Sequence, residues 1–249
     1  MARSVHFVGR LIQQPLTYTW HSGLTINNDQ ELRMMVNVVL GNCPDVHWTT
    51  YHHYHQLILG SDIRQLDTIE LLNLIILKLP YLRSIAWTVG CPLTSDFLHN
   101  TPWLDRITTL YSSFPQEGRV FFDMLSSPHL TNLDHLNLYR QHLGDEFVQA
   151  LVKSPLVKQL RFCSLIEQDI TDVGATMLAN CPHFDKMKGI SLKENQLSAA
   201  GLLTLFQSEY FTKFDTVFLE GNPGCDRFLS HIEEVFPLSS NLRSQWMAG

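Results

Sequence analysis

The feature that most restricts what this chain can fold into is a sequence repeat. Prolines mark it first: Pro44, Pro80, Pro102, Pro128, Pro155 and Pro182 recur along the chain, and the last three intervals are nearly equal. Each is followed two positions later by an apolar side chain, Val46, Leu82, Leu104, Leu130, Val157 and Phe184. A second pattern, LxxLxLxxNxL, lies over the first in the C-terminal half. It reads Leu133, Leu136, Leu138, Gln141 and Leu143, then Met187, Ile190, Leu192, Asn195 and Leu197, then Phe214, Val217, Leu219 and Asn222. Val157, Leu160 and Phe162 supply the same start, with a short insertion expected before Ile170. Repeats at such a period mean that each unit is one supersecondary element that buries its apolar face only against its neighbours.

The pattern has a physical reading. The x-L-x-L-x core is a short strand whose alternation sends one face inward and the other outward. At the Asn position, where the chain turns away, a side-chain amide can satisfy backbone groups that would otherwise be buried and unpaired. The rest of each unit has helical spacing, as in 145–152, Asp172 to Leu178, and Ser198 to Leu203, the last opened by a good N-cap serine. Most of the chain's leucines fall on this ruler and form inward rungs. With 17% charged and 45% hydrophobic residues the chain is not mainly disordered.

The segment Cys163, Ile170-Thr171-Asp172-Val173-Gly174, Leu178-Ala179-Asn180-Cys181-Pro182 resembles the C…ITDxG…LAxxCPxL signature of F-box leucine-rich-repeat proteins. Leu192-Lys193-Glu194-Asn195-Gln196-Leu197 and Leu219-Glu220-Gly221-Asn222-Pro223 are similar to ribonuclease-inhibitor-type units. The good match runs from Pro128 to Cys225, somewhat under half of the chain. It implies an α/β leucine-rich-repeat solenoid: a curved right-handed horseshoe arc, parallel strands on the concave face and helices on the convex face, with six to seven repeats between end caps. The expected layout is a single domain over 1–249, with an N-terminal cap at 1–42, repeats at 43–224 and a C-terminal cap at 225–249.

Upstream the units are worn. Leu82, Ile85, Trp87 and Leu93 form one, and Leu104, Ile107 and Leu110 another with its register slipped by one. Asp45-Val46-His47-Trp48 reads as a strand start after a helix at Asp29 to Leu40, and a helix capped by Ser61 or Asp62 follows from Ile63 to Leu79. The long gap between Pro44 and Pro80 calls for an insertion, placed at Tyr51 to Gln56. Alternating stretches at Val5 to Val8 and Leu16 to Trp20 suit the N-terminal cap, and Asp226 to Phe236 a capping helix.

Several function classes are disfavoured. A net charge of −6 argues against a nucleic-acid binder, because phosphate neutralisation needs a basic face. No membrane span is expected, since Leu66 to Leu79 is broken by Asp67, Glu70, Asn73 and Lys78. The N-terminus has no continuous apolar core of a secretory signal. Cys43, Cys91, Cys163, Cys181 and Cys225 are odd in number and form no CxxC pair, which suits reduced thiols in an intracellular, cytoplasmic or nuclear protein. There is no GxSxG, P-loop or strand-to-helix GxGxxG, so no catalytic residue and no cofactor is assigned. The one dense polar cluster, His47 with Tyr51-His52-His53-Tyr54-His55, makes His52, His53 and His55 weak metal-ligand candidates, better read as an insertion rich in His and Tyr.

Function is therefore expected on the strand positions between the leucines. Alignment of the units places Ser84, Ala86, Thr88, Arg106, Thr108, His135, Asn137, Tyr139, Gln159, Arg161, Cys163, Gly189, Ser191, Lys193, Thr216, Phe218 and Glu220 on the concave surface. Arg106, Arg161 and Lys193 against Glu220 alone make that face mildly basic, which suits an acidic patch on a protein partner. The residues expected to bind are Arg106, His135, Asn137, Tyr139, Arg161, Ser191, Lys193, Phe218 and Glu220. The expected role is a protein-interaction scaffold without catalysis. The alternatives are a ubiquitin-ligase substrate receptor, although 1–42 lacks an F-box opening, a GTPase-activating role, and a metal-dependent enzyme using 47–55.

Overall fold

The four strands after Leu133 keep the sequence ruler without a single slip. In the computed structural model, β5 (His135–Tyr139), β6 (Phe162–Ile166), β7 (Gly189–Ser191) and β8 (Thr216–Phe218) pair in parallel and in sequence order. Leu136 lies beside Cys163, Cys163 beside Ile190 and Ile190 beside Val217, every step equal in sequence. The structure describes residues 24–28, the helical positions 30, 33, 35 and 37, and residues 55–62, 68–87, 95–113 and 119–225. It divides into two units, Met1–Val120 with Ser127–Asn132 and Phe121–Ser126 with Leu133–Gly249.

In the first unit β1 (Leu24–Asn28), β2 (Gln56–Asp62), β3 (Ser84–Trp87) and β4 (Thr109–Ser112) pair in parallel, again in sequence order. Helices α1 (Thr68–Ile76) and α2 (Ser95–Asn100) alternate with them. Helix α3 (Val120–Met124) falls where the two units divide. In the second unit α4 (Gly144–Lys153), α5 (Asp172–Ala179) and α6 (Ala199–Gln207) separate the strands. The fold is α/β, built from parallel strands alternating with helices in leucine-rich-repeat-like units. Among the described residues no helix is long and apolar enough to cross a membrane.

Four expectations change. Gln56, placed at the end of an insertion, instead opens β2, which buries Leu57 and Leu59 at 0% and 1% exposure. Ser61 and Asp62 end that strand and so cannot cap a helix, and α1 occupies Thr68–Ile76 of the expected span. A strand, β1, stands inside the segment assigned to a cap. In the repeat that holds β6 the inward rungs are Leu160, just ahead of the strand, and Cys163 and Leu165 within it, all fully buried, and the even register leaves no room for an insertion before Ile170. Phe162 faces the other way, because alternation is dictated by the register of β5 rather than by which residues are most apolar. The rest of the expected insertion at 51–54, the strand start at Asp45–Trp48, the stretches at 5–20 and the helix at Asp226–Phe236 lie outside the described residues.

Side-chain ladders hold the second unit together. Gln141, Gln168, Asn195 and Asn222 are all buried at the turn that follows each strand. The Asn195 Oδ1 accepts from the Gln168 and Ile170 amides at 3.0 Å each, while its Nδ2 donates to the carbonyls of Leu165, Leu192 and Lys193 at 2.7, 2.9 and 3.1 Å. Asn222 repeats the arrangement one unit later, accepting from Leu197 and donating to Leu192 and Leu219. The amide satisfies buried backbone groups of neighbouring turns, as the repeat position implied.

A second ladder runs along the helix starts. The Asp145 carboxylate accepts from the Thr171 amide, the Thr171 hydroxyl and the Gly174 amide at 2.9, 2.6 and 3.0 Å. One unit on, Asp172 accepts from the Ser198 amide and hydroxyl at 2.8 and 2.5 Å. Each helix thus anchors the cap of the next, since Thr171 and Ser198 are themselves the N-caps of α5 and α6. The approach is so close that a Cβ at Gly174 would collide with Asp145 Oδ1, and one at Gly201 with Asp172 Oδ1. A third ladder closes the helix ends: Ser154 and Ser208 donate to the carbonyls of Leu125 and Ala179 at 2.7 and 2.5 Å.

Candidate binding face on the second unit

The constant register stacks the outward strand positions into three rows. The first holds His135, Phe162, Gly189 and Thr216, and the second Asn137, Ser164, Ser191 and Phe218. The third follows Tyr139 and Ile166 with Lys193 and Glu220, just past β7 and β8. Small residues line the centre: Gly189 is buried, and Ser164 and Ser191 are 6% and 3% exposed. The ring of Phe162 leans across Gly189, where a Cβ would meet it at 2.9 Å, and stacks on His135 with centroids 6.3 Å apart. The Ser191 hydroxyl is buried without a hydrogen-bond partner among the described residues.

Charged groups border this floor. Lys193 Nζ lies 3.2 Å from the Glu220 carboxylate and 5.0 Å from the centroid of Phe218. Arg140 donates to Glu167 and sits 5.0 Å over the ring of Tyr139. Glu167 is held below the usual carboxylate range, foremost by the hydrogen bond from Arg140. The Tyr139 phenol is pushed up, first by desolvation and then by the charge of Glu167. Arg140, Glu167 and Glu194 all adopt left-handed backbone, at φ of 56°, 53° and 55°, so the post-strand bend is imposed by the repeat even without glycine. His142 and Asp169, also left-handed, pair at 2.8 Å on the same edge.

The structure brings together most of the expected binding residues. His135, Asn137, Tyr139, Ser191 and Phe218 stand on the outward strand face, and Lys193 and Glu220 continue it. Arg161 lies one position before β6, exposed at the strand entry rather than on the face. Arg106 leaves the site altogether. It ends the 3-10 turn Pro102–Arg106 in the first unit, and its guanidinium donates to the carbonyls of Ile76 and Leu79 at 3.1 and 3.5 Å, closing the end of α1. The outward residues of β4 are Thr109 and Tyr111 instead of Arg106 and Thr108. Cys163 and Gln159 also leave the face: Cys163 is fully buried and its thiol is pushed up to about 12 by desolvation, which makes it inert at neutral pH. Phe162, Ser164 and Ile166 take their places.

Of the histidine cluster, His55 is exposed just before β2, its ring 5.9 Å from that of Tyr81, and His47, His52 and His53 lie outside the described residues. Among the described residues no three or more His, Cys, Asp or Glu side chains gather in a group that could hold a metal.

No family model and no curated protein matches the chain. Among solved structures that match is a protein from Bacteroides fragilis determined by structural genomics, with a TM-score of 0.49 and 16% identity. That alignment covers 76% of this chain, which spans 60% of the other's length. The repeat architecture stands on the strand register and the ladders themselves.

Proposed function

We propose that this chain is a protein-interaction module which docks a protein partner on the outward strand face of its second unit and performs no chemistry of its own. The observation that carries this reading is the set of half-exposed apolar side chains spread over the three rows, Tyr139, Phe162, Ile166 and Phe218, around a floor of Gly189, Ser164 and Ser191. Aromatic anchors beside a shallow, small-residue floor suit the desolvated centre of an interface. The ion pairs at its border are solvent-accessible and suit the polar rim. The buried free thiols of Cys163 and Cys181 are in keeping with an intracellular setting.

The basic excess expected of this face is reduced by the departure of Arg106 and the pairing of Lys193 with Glu220, so the centre favours an apolar, uncharged contact. The test compares quantitative capture by the wild-type chain with capture by Tyr139→Ala plus Phe218→Ala. Partners retained at least tenfold less by the variant support the reading, whereas an unchanged set of retained proteins sinks it.

A further inference from the structure

We infer that the partner carries a carboxylate-bearing end, and that this end lies over the strand entries of the second unit at Arg161 and Lys188; the inference rests on the strand-face reading above. Asp134, Arg161, Lys188 and Asp215 occupy equivalent positions, one before each strand. They are tied laterally by backbone bonds: the amides of Arg161, Lys188 and Asp215 each donate to the preceding unit's carbonyl at 2.7 Å. Arg161 and Lys188 are therefore direct lateral neighbours, at about 4.8 Å between strands. Both are exposed, and neither makes an ion pair or side-chain hydrogen bond with the described residues. Like charges placed side by side repel, and an anion seated between them relieves that repulsion.

The strand exits differ. There Arg140 is engaged by Glu167 and Lys193 by Glu220, leaving Glu194 exposed. At the entries the flanking Asp134 is held by His135 Nδ1 at 2.6 Å, and Asp215 stands on the far side of Lys188. The entries thus hold two adjacent cations without an ion pair, flanked by aspartates, whereas at the exits the cations are engaged and Glu194 is left over, a difference that orients a bound segment. Arg161 supplies a fork suited to a carboxylate, and the His135–Phe162 stack lies immediately beside it. Two adjacent cations bounded by two aspartates give a local carboxylate seat rather than a continuous phosphate track, which favours an acidic polypeptide over a nucleic acid.

The test is a random peptide display selection on the full chain, followed by anisotropy measurements on the enriched peptides. The inference expects Asp or Glu grouped towards one end of those peptides, next to apolar residues. It expects R161E/K188E to weaken their binding about tenfold or more, with an unchanged thermal melt, and L77S on the first unit to leave binding unaltered. Enriched peptides without carboxylates, weakened by Y139A/F218A but not by R161E/K188E, overturn the carboxylate seat and leave the face. Peptides indifferent to both pairs of substitutions, or no enrichment over an unrelated protein, overturn both. A short single-stranded DNA that displaces the acidic peptides also overturns the inference.

Discussion

In the second unit the paired strand positions Leu136, Cys163, Ile190 and Val217 are evenly spaced in sequence, whereas in the first unit Leu24, Leu57, Ile85 and Leu110 draw steadily closer together. The consequence is chemical. With constant spacing, one side-chain type returns to one place and can bond its own neighbour's backbone, as Gln168, Asn195 and Asn222 do. With varying spacing most junctions need their own solution, although Ser127 donates to the Leu98 carbonyl at 2.6 Å as Ser154 and Ser208 do to theirs. Trp103 donates from Nε1 to Asn73 Oδ1 at 2.6 Å, Arg106 covers the end of α1, and Asn132 donates to the Asp105 carbonyl at 2.7 Å. A regular repeat concentrates its stability in shared ladder positions, and a worn one spreads it over single contacts.

That contrast breaks first at Asn195. Asn195→Leu leaves the Gln168 and Ile170 amides and the Leu165 carbonyl in a buried turn without this partner, while the Leu192 and Lys193 carbonyls keep the Asn222 side chain and the Glu167 amide. Unsatisfied buried groups cost about 1–3 kcal/mol each before relaxation. The expected loss in urea unfolding is about 3 kcal/mol or more. Trp103→Phe in the first unit keeps the edge-to-face packing on Phe97, at 5.6 Å, and loses one bond, so about 1 kcal/mol is expected there. Equal losses from the two substitutions would show that constant spacing confers no concentration of stability.

How much of the molecule is legible in its sequence follows the same division. Leu133, Leu136 and Leu138 announce their strand because the positions between them are mostly polar. In the following unit the inward residues are Leu160, Cys163 and Leu165 and Phe162 faces outward, so the hydrophobic reading of Val157, Leu160 and Phe162 slips by three positions and exchanges the two faces. Only the backbone pairing with β5 corrects it. Arg106 falls off the face for a related reason: a 3-10 turn precedes β4 and the strand begins later than the leucines suggest. The aspartate ladder has a sequence signal of its own, because Asp145 and Asp172 recur at the repeat period, as do Thr171 with Ser198 and Gly174 with Gly201. Charge is the least legible property, since pairing of Lys193 with Glu220 depends on geometry across two units of sequence.

The aspartate ladder sharpens the comparison next. Gly201→Ala drives a methyl towards Asp172 Oδ1, and overpacking of this kind costs about 1–3 kcal/mol. Asp172→Ala removes both the obstruction and the cap of Ser198, so the double variant should be less destabilised than the two singles added together. Additive losses in a double-mutant cycle would mean that the glycine serves something other than the carboxylate.

The smallest effect lies in how two tyrosines, one per unit, respond to pH and salt. Tyr111 in the first unit has its phenol pushed up by burial, and Tyr139 in the second by desolvation together with the nearby charge of Glu167. A folded pKa above the unfolded one contributes stability that is present below the unfolded value and lost as pH rises through the folded value. Both tyrosines should therefore show an alkaline limb. Glu167 works in the opposite direction: its carboxyl is held low, so its contribution is present above the ordinary carboxylate range and is lost as pH falls through the folded value. Glu167→Gln should remove that acid limb and bring Tyr139 down towards its ordinary value. Added salt screens charge and leaves burial untouched, so salt should move Tyr139 and not Tyr111 in ultraviolet titrations of Tyr111→Phe and Tyr139→Phe. A salt response of equal size in both tyrosines would remove the distinction between a site tuned by its neighbours' charges and one set by packing alone.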